Sequence, residues 1–430
     1  MVGLIDCNNF FVSCERIFNP RLRTIPVVVL SNNDGCICSL SNEAKLLGMR
    51  RGDPYFRIKD VCDRNGVAVI SGNHHLYGDI SSRVMATIAS ITGTVEVYSI
   101  DECFINFSIW PDTEAAAAGR EIVRRVRRDV GIPTSLGIAS TRTLAKIASR
   151  FAKKYPAYHA VCTIDNEYRR RRALELTEIG DVWGIGRRMV KRMANYGIHR
   201  AIQLADRPRK EIEHIMNVPG VRTWQELNGI PCIDIDTIEG ADAPRQKQMC
   251  CSRSFGHNLT RIEELSDAVA MFTTIVSRRL RERNLAAAGL TVFLHTNTHR
   301  PDQPQYCNSA FSSLPEPSND TMTLAVAARQ ALTAVFREGY GYKRAGIFIS
   351  ELCDASKIQH SLFSDSSDSE RRNRLMKVVD TLNATSLSRD RIHIASYMPV
   401  ESCVRCEHRS PNYSTHFEDI IQVKISENGL

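Results

Sequence analysis

The chain has 430 residues, with 56 Lys and Arg against 48 Asp and Glu and a formal net charge of +8. This length exceeds that of one hydrophobic core and predicts roughly two to four domains, and the modest basic excess suits a polyanionic partner without identifying it. The 14 cysteines lack the spacing of a disulfide framework, and no signal peptide or membrane-length apolar run is visible. The sequence therefore argues against a secreted or membrane protein and for a reducing cytosol.

The chain starts with a short apolar run over residues 2–5, which predicts a strand that ends at Asp6. Phe10 and Phe11 follow within a predicted helix. Adjacent aromatic residues most often belong to a core, and the pattern alone leaves that interpretation open for both.

The next region begins with an apolar run over residues 26–30, which predicts a buried strand. A turn at residues 33–35 follows, and then a helix over residues 41–47 that stops at Gly48. Lys45 lies on this helix, where an exposed surface lysine is the simplest interpretation.

Two adjacent acids, Asp101 and Glu102, lie between predicted strands over residues 95–98 and 103–107. Successive side chains of a strand point to opposite faces, so two neighbours converge only at a turn or a strand end. Such a pair fits either an exposed acidic hairpin or a cation site that needs another ligand. Asp6 is the candidate ligand, because two neighbouring strands would bring three carboxylates together, and carboxylate oxygens suit magnesium.

The elements around these acids are predicted helices over residues 81–91, 115–128 and 143–153 and a strand over residues 134–138. The second helix carries five arginines, which normally form a solvated face. This order of strands and helices predicts a ferredoxin-like fold, which unrelated functions share.

A helical, basic region over residues 167–230 contains Gly184 and Gly186 in the sequence Asp-Val-Trp-Gly-Ile-Gly. Glycines let the backbone approach a phosphate closely, and the next helix offers its positive N-terminus. Alone, this is a turn between helices, but four cations follow within two turns: Arg187, Arg188, Lys191 and Arg192. The whole pattern predicts a helix-hairpin-helix that grips duplex independently of its sequence.

Residues 233–247 are typical of a linker, and a second pattern of strands and helices follows them. Its predicted order is βαββαβ, over residues 250–255, 262–284, 290–295, 306–314, 321–337 and 344–351.

The C-terminal region begins with a low-complexity acidic run over residues 364–370, followed by a predicted helix over residues 371–387. Cys403, Cys406, His408 and His416 have spacing that invites a zinc interpretation. A second compact ligand pair is absent from the sequence, so we expect free cysteines.

Several segments in order resemble the Y-family, or translesion, DNA polymerases: Asp6 with Phe10 and Phe11, Pro26-Val27-Val28-Val29, Glu43-Ala44-Lys45, and Tyr98-Ser99-Ile100-Asp101-Glu102. The stretch Ser31-Asn32-Asn33-Asp34-Gly35-Cys36 narrows the resemblance to the UmuC type, the catalytic subunit of bacterial DNA polymerase V and its plasmid or mobile-element relatives. No single segment is decisive, but five in the correct order are highly specific. The resemblance extends from residue 1 to about residue 363 and more loosely beyond.

This resemblance implies an α+β multidomain protein with the right-hand polymerase architecture. It implies a ferredoxin-like palm (1–23 and 79–165), small fingers (24–78), a helical thumb with a helix-hairpin-helix (166–232), a linker (233–247), a βαββαβ little finger (248–352), a clamp-binding peptide with an acidic linker (353–370) and a partner-binding C-terminal region (371–430).

The resemblance also implies the chemistry. Asp6, Asp101 and Glu102 would be catalytic and would bind two Mg²⁺ ions, with Cys7 also at the metals, while the primer 3′-hydroxyl attacks the α-phosphate in line and pyrophosphate leaves. Four residues would contact the nucleotide: Phe10, Phe11, Lys45 and Lys153. Phe11 would exclude a ribose 2′-hydroxyl by steric clash, whereas Lys146 is expected to face DNA or solvent. Some relatives have a phosphate-binding Tyr where this chain has Asn42, which puts that contact in doubt.

The implied partners are primer–template DNA, deoxynucleoside triphosphates, a UmuD-type dimer, the RecA filament and the sliding clamp. DNA contacts are expected at Gly184, Gly186, Arg187, Arg188, Lys191 and Arg253, and clamp contacts at Gln359, Leu362 and Phe363. We therefore expect a bacterial cytoplasmic enzyme, at the nucleoid when active, that performs error-prone translesion synthesis in the SOS response.

Two alternatives come from other classes of protein. An inactive DNA-binding scaffold would be expected to lose one of the three acids, and all three are present. A nucleotide cyclase with a related palm would have no use for the helix-hairpin-helix or the second DNA-facing domain.

Overall fold

The structure is a computed structural model that describes residues 1–233, 248–358, 366–384, 392–394 and 406–421. Its strands are β1 (Val2–Cys7), β2 (Val27–Leu30), β3 (Ile37–Leu40), β4 (Ala68–Ser71), β5 (Glu96–Val97), β6 (Glu102–Asn106), β7 (Thr134–Ala139), β8 (Val161–Ile164), β9 (Met249–Leu259), β10 (Leu285–Thr296), β11 (Cys307–Ser318) and β12 (Tyr342–Asp354). Its α-helices are α1 (Phe10–Phe18), α2 (Asn42–Leu46), α3 (Tyr55–Arg64), α4 (His74–Thr92), α5 (Ala115–Asp129), α6 (Arg142–Lys154), α7 (Glu167–Leu176), α8 (Arg187–Ala194), α9 (Ala201–Ala205), α10 (Arg209–Leu227), α11 (Ile262–Glu282), α12 (Thr321–Val335) and α13 (Ser366–Ala384).

The first sheet has the order β5-β6-β1-β7-β8, with β1 antiparallel to both neighbours. Its two faces belong to two cores. Leu4 and Phe104 pack with α6, whereas Ile5 and Cys103 pack in the core that α4 and α5 cover. Gly137 of β7 permits the close approach of α6, because a Cβ there would overlap the backbone of that helix at Ala145. The sheet therefore holds α6 close to the end of β1.

The second sheet is small and has the order β3-β2-β4, with β2 and β4 parallel. All four residues of β2 are buried, as the apolar run predicts. Helix α2 begins after Ser41, whose hydroxyl accepts a hydrogen bond from the amide of Ala44. On the side of β2 opposite to β3, β4 is an edge strand of this sheet.

Helices α7 to α10 form a helical unit that packs on α6 in the same core as Leu4. Gly184 has φ of +87°, a conformation that favours glycine, and Gly186 immediately precedes α8. Helix α10 is interrupted at Asn217, whose φ of 58° is not helical. The glycine turn therefore leads into a helix, as the sequence predicts.

The third sheet has the order β11-β10-β12-β9, and α11 and α12 pack against it. The observed order of elements is the predicted βαββαβ, although the strands are longer than the predicted runs. Across the described ranges, every helix is too short or too polar to span a membrane.

Candidate active site

The three predicted carboxylates lie at one end of the first sheet. Asp6, near the end of β1, is the direct cross-strand partner of Glu102, the first residue of β6. Asp101 lies in the bend before β6, where the hydroxyl of Ser99 donates a hydrogen bond of 2.6 Å to its carboxylate. The amide of Cys7 donates to the carbonyl of Asp101 at 2.8 Å, which fixes this bend against β1. The strand end therefore makes Asp6 and Glu102 cross-strand neighbours, with Asp101 next to them in the chain.

Two lysines of α6 neutralise two of these acids. Lys153 Nζ lies 2.7 Å from Asp6 Oδ1, and Lys146 Nζ lies 2.9 Å from Glu102 Oε2. The lysines are seven residues apart, so both lie on the helix face that covers the acids. Burial raises the pKa of Glu102, Lys146 lowers it, and the neighbouring Asp6 and Asp101 raise it further.

The position of Lys146 corrects the expectation that it faces DNA or solvent. Its ammonium lies 4.6 Å from the ring centre of Tyr98 and 5.3 Å from that of Trp183. The indole N–H of Trp183 donates to the hydroxyl of Tyr98 at 3.2 Å. Because Trp183 belongs to the glycine turn before α8, these contacts join the helical unit to Glu102.

The carboxylates suit a hard divalent cation that keeps water and substrate oxygens in its shell. Among the described residues, no three His, Cys, Asp or Glu side chains are placed so that together they could hold a metal ion. The thiol of Cys7 is not a suitable ligand, because Cys7 is 2% exposed on the opposite face of β1 and burial raises its pKa well above the ordinary value. Any contact of Cys7 with a metal is limited to its backbone carbonyl.

A cleft of about 320 Å³ lies beside the acids and is lined by Asn8, Asn9, Asn42, Lys45, Arg150, Lys153 and Lys154. Lys45 Nζ donates to Asn9 Oδ1 at 2.8 Å and to Asn42 Oδ1 at 3.1 Å. Two of the predicted nucleotide residues, Lys45 and Lys153, thus face one cleft. Four basic side chains give the cleft the charge to hold a polyphosphate.

The two adjacent phenylalanines separate into different environments. Phe10 is 3% exposed and belongs to the core, so its ring is not available to a nucleotide. Phe11 is partly exposed and stacks on Tyr77 at 4.4 Å with an interplanar angle of 16°. It also meets the His74 ring edge-on at 5.6 Å. Phe11 is therefore held from within the protein while part of it remains accessible.

The predicted DNA contacts lie on exposed surface around α8. Arg187, Arg188 and Lys191 are exposed, and Gly184 and Gly186 are exposed beside them. Arg253 lies on β9, an edge strand of the third sheet, and is partly buried, with a hydrogen bond from its guanidinium to the carbonyl of Ser252. The predicted clamp contacts lie outside the described residues: Gln359, Leu362 and Phe363.

Sequence reasoning missed several residues of the site. Asn8 and Asn9 line the cleft directly after the first strand, and Arg150 and Lys154 enter it from α6. The spacing of the basic residues on α6 was the available signal, since positions 146, 150, 153 and 154 share one helix face. The sequence around Tyr77 gives no indication that it belongs to the site, because its connection to the site is the stacking contact with Phe11, a residue distant in the chain.

Comparisons with known proteins agree with this arrangement. The model of the impB/mucB/samB family matches residues 5–150, the model of its C-terminal domain matches residues 246–362, and that of a domain of unknown function matches residues 373–423. The chain is 36% identical to Protein UmuC of Salmonella typhimurium, over 99% of this chain and 100% of that protein. It is 32% identical to Protein MucB of Escherichia coli, over 98% of this chain and 99% of that protein.

More distant relatives and solved structures extend the same likeness. DNA polymerase IV of Moorella thermoacetica is 27% identical over 88% of this chain and 92% of its own length. A Y-family DNA polymerase chimera, Dbh-Dpo4-Dbh, has a TM-score of 0.62 and 18% identity over 81% of this chain and 98% of its own. The insertion ternary complex of Dbh DNA polymerase has a TM-score of 0.55, with the same identity and shares. These structures show the fold.

Proposed function

The chain belongs to the impB/mucB/samB family, the UmuC-type Y-family DNA polymerases, and we propose that Asp6, Asp101 and Glu102 are the catalytic carboxylates of its template-directed, error-prone translesion synthesis. The protein is a DNA-directed DNA polymerase. The observation that carries the residue assignment is the pairing of Asp6 with Glu102 beside a basic cleft. The presence of all three acids argues against an inactive scaffold.

Y-family DNA polymerases use divalent metal ions, and we assign two Mg²⁺ ions to Asp6, Asp101, Glu102 and the carbonyl of Cys7. Held by these residues, magnesium would supply charge neutralisation for the triphosphate and activation of the primer hydroxyl. Lys146 and Lys153 hold the carboxylates of Glu102 and Asp6 in position. Lys153 also lines the cleft, so its ammonium can transfer from Asp6 to a phosphate oxygen without moving out of the site.

The cleft beside the acids takes the triphosphate of a deoxynucleotide. Lys45 and Lys153 supply its positive charge, and Asn9 and Asn42 orient Lys45 through their amide oxygens. Asn42 replaces the phosphate-binding Tyr of some relatives, so here the residue acts through Lys45. Phe11 limits the space at the sugar and rejects a 2′-hydroxyl, while Phe10 supports the helix from the core.

The remaining assignments concern DNA and protein partners. Primer–template DNA would contact the glycine turn and α8 through Gly184, Gly186, Arg187, Arg188 and Lys191, and would contact β9 through Arg253. Residues 359–363 would bind the sliding clamp, and residues 371–430 would bind a UmuD-type dimer and respond to RecA. The predicted domain boundaries and the cytoplasmic, nucleoid-associated location in the SOS response are part of the same proposal.

The test is primer extension across one abasic site with magnesium and deoxynucleotides. Wild type, Asp101→Ala and Asp112→Ala, a control at an exposed acid outside the site, are compared with and without a UmuD-type dimer, activated RecA and the clamp. We expect bypass by wild type and the control, and none by Asp101→Ala. Equal inactivity of all three with intact duplex binding would favour the scaffold.

A further inference from the structure

Residues 406–421, here called the C-terminal strap, cross from the second sheet to helix α1. They lie inside the domain of unknown function matched over residues 373–423. The amide of Ser71 donates to the carbonyl of His408 at 3.0 Å, and the amide of His408 donates to Ser71 Oγ at 2.9 Å. Ser71 and Arg409 form a parallel bridge. The strap therefore pairs with the open edge of β4.

Two further contacts hold the strap beyond β4. Asn73, the N-cap of α4, accepts from the amide of Leu76 and donates through Nδ2 to the carbonyl of Ser410 at 3.1 Å. Tyr413 stacks on Phe18 of α1 at 4.9 Å. The strap is thus joined to the first turn of the helix that carries Tyr77.

Glu15 is the point at which the strap enters the interior of the protein. The residue is 2% exposed, and its Oε1 accepts hydrogen bonds from Tyr77 at 2.7 Å and from Ser410 Oγ at 2.9 Å. Burial raises the pKa of Glu15, and these two hydrogen bonds oppose that shift. A buried carboxylate needs such donors, and one of the two comes from the strap.

Tyr77 connects this carboxylate to Phe11. Its ring is completely buried, its hydroxyl is fixed by Glu15, and its face stacks on Phe11. A continuous series of contacts therefore leads from Ser410 through Glu15 and Tyr77 to Phe11. None of these four residues is among those that line the cleft, and Phe11 follows two residues after Asn9, which does.

We propose that the C-terminal strap is a built-in part of sugar selection: Ser410, Glu15 and Tyr77 are positioning residues that hold Phe11 against the incoming sugar. The inference rests on the proposed function of Phe11 as the steric gate. When a strap contact is lost, the Tyr77 and Phe11 rings can move away from the sugar, and the space they leave admits a 2′-hydroxyl. A deoxynucleotide lacks that group, so its incorporation is much less sensitive to the same movement.

The experiment measures kcat/KM for a deoxynucleotide and for the matching ribonucleotide, in the full-length chain with the partners that support activity. The test variant is Ser410→Ala. Ser414→Ala is the matched control, because the Ser414 hydroxyl is buried in the same strap with no hydrogen-bond partner among the described residues. Ser410→Thr restores a hydroxyl, and Phe11→Ala removes the gate itself.

We expect Ser410→Ala to lower the preference for deoxynucleotides about 3- to 10-fold through faster ribonucleotide use. Ser414→Ala and Ser410→Thr should retain the wild-type preference, and Phe11→Ala should lose most of it. Tyr77→Phe keeps the ring and removes the hydroxyl, so combining it with Ser410→Ala should add little beyond either change. A thermal unfolding curve for each variant shows that it is folded.

Three results would overturn the inference. Unchanged selectivity in Ser410→Ala, with relaxed selectivity in Phe11→Ala, would show that Phe11 is the steric gate but that the strap does not contribute to sugar selection. An equal fall in kcat/KM for both sugars would show a role in folding alone. Unchanged selectivity in Phe11→Ala would remove the gate on which the inference rests. Absence of any polymerisation by wild type would instead contradict the proposed function.

Discussion

Glu96→Gln tests how the acidic hairpin is attached to α6. The Glu96 carboxylate accepts two hydrogen bonds from the Arg142 guanidinium, and the side chains are only 16% and 5% exposed. The guanidinium also lies 4.9 Å from the ring centre of Phe104. Removing the Glu96 charge leaves Arg142 buried without its compensating partner, which costs about 3–5 kcal/mol in comparable pairs. The double variant Glu96→Leu with Arg142→Met removes both charges and is expected to cost less than Glu96→Gln.

Urea unfolding followed by tryptophan fluorescence measures this free energy, because the three tryptophans, at positions 110, 183 and 224, all precede the third sheet. Asp206→Asn is the control, since Asp206 forms an equally two-pronged but exposed pair with Arg171. We expect no measurable change in that control. A similarly small effect of Glu96→Gln, or a double variant that costs as much as Glu96→Gln or more, would refute the reasoning.

Three more predictions follow from the site. Lys146→Met keeps the side-chain stem but removes the cation 2.9 Å from Glu102. The magnesium concentration that gives half-maximal primer extension should therefore fall severalfold. An unchanged midpoint would contradict this. Gly137→Ala places a Cβ against the α6 backbone, where there is no room for it. Urea unfolding should therefore show a large loss of stability. Primer extension should also fail, because α6 and its lysines are displaced. Burial raises the pKa of Glu15. Its contribution to stability is therefore present below the pKa of the unfolded state and is lost as the pH rises through the pKa of the folded state. Thermal unfolding should show the stability of Glu15→Gln increasing relative to wild type over that pH range, and parallel pH profiles of the two proteins would contradict this.

The sequence predicted the strand and helix order well wherever the local pattern decides the outcome. The acidic pair at a strand end, the glycine turn before α8 and the βαββαβ order of the third sheet follow from residues close together in the chain. The Y-family fold and the UmuC-type family were likewise predicted correctly. Residue roles that depend on tertiary contacts were not accessible in this way.

Lys146 and Phe10 show why. The pattern of α6 gives Lys146 an amphipathic position, but only the folded chain places Tyr98 and Trp183 around its ammonium. Phe10 and Phe11 are neighbours of the same residue type, and their burial differs because the start of α1 turns one ring into the core. Charge and residue type restrict what a side chain can do, while its partners from distant segments decide which of those functions it performs.

The stretch Ser31-Asn32-Asn33-Asp34-Gly35-Cys36, which narrowed the resemblance to the UmuC type, has a structural role that its pattern does not reveal. Asn33 and Asp34 both have positive φ, 60° and 51°. This conformation lets Asn33 donate to the carbonyl of Ser254 on β9 at 2.7 Å while Asp34 accepts from the amide of Glu407 in the C-terminal strap at 2.9 Å. One short turn thus contacts both the third sheet and the strap. The segment that narrowed the resemblance therefore also links the C-terminal strap to the third sheet.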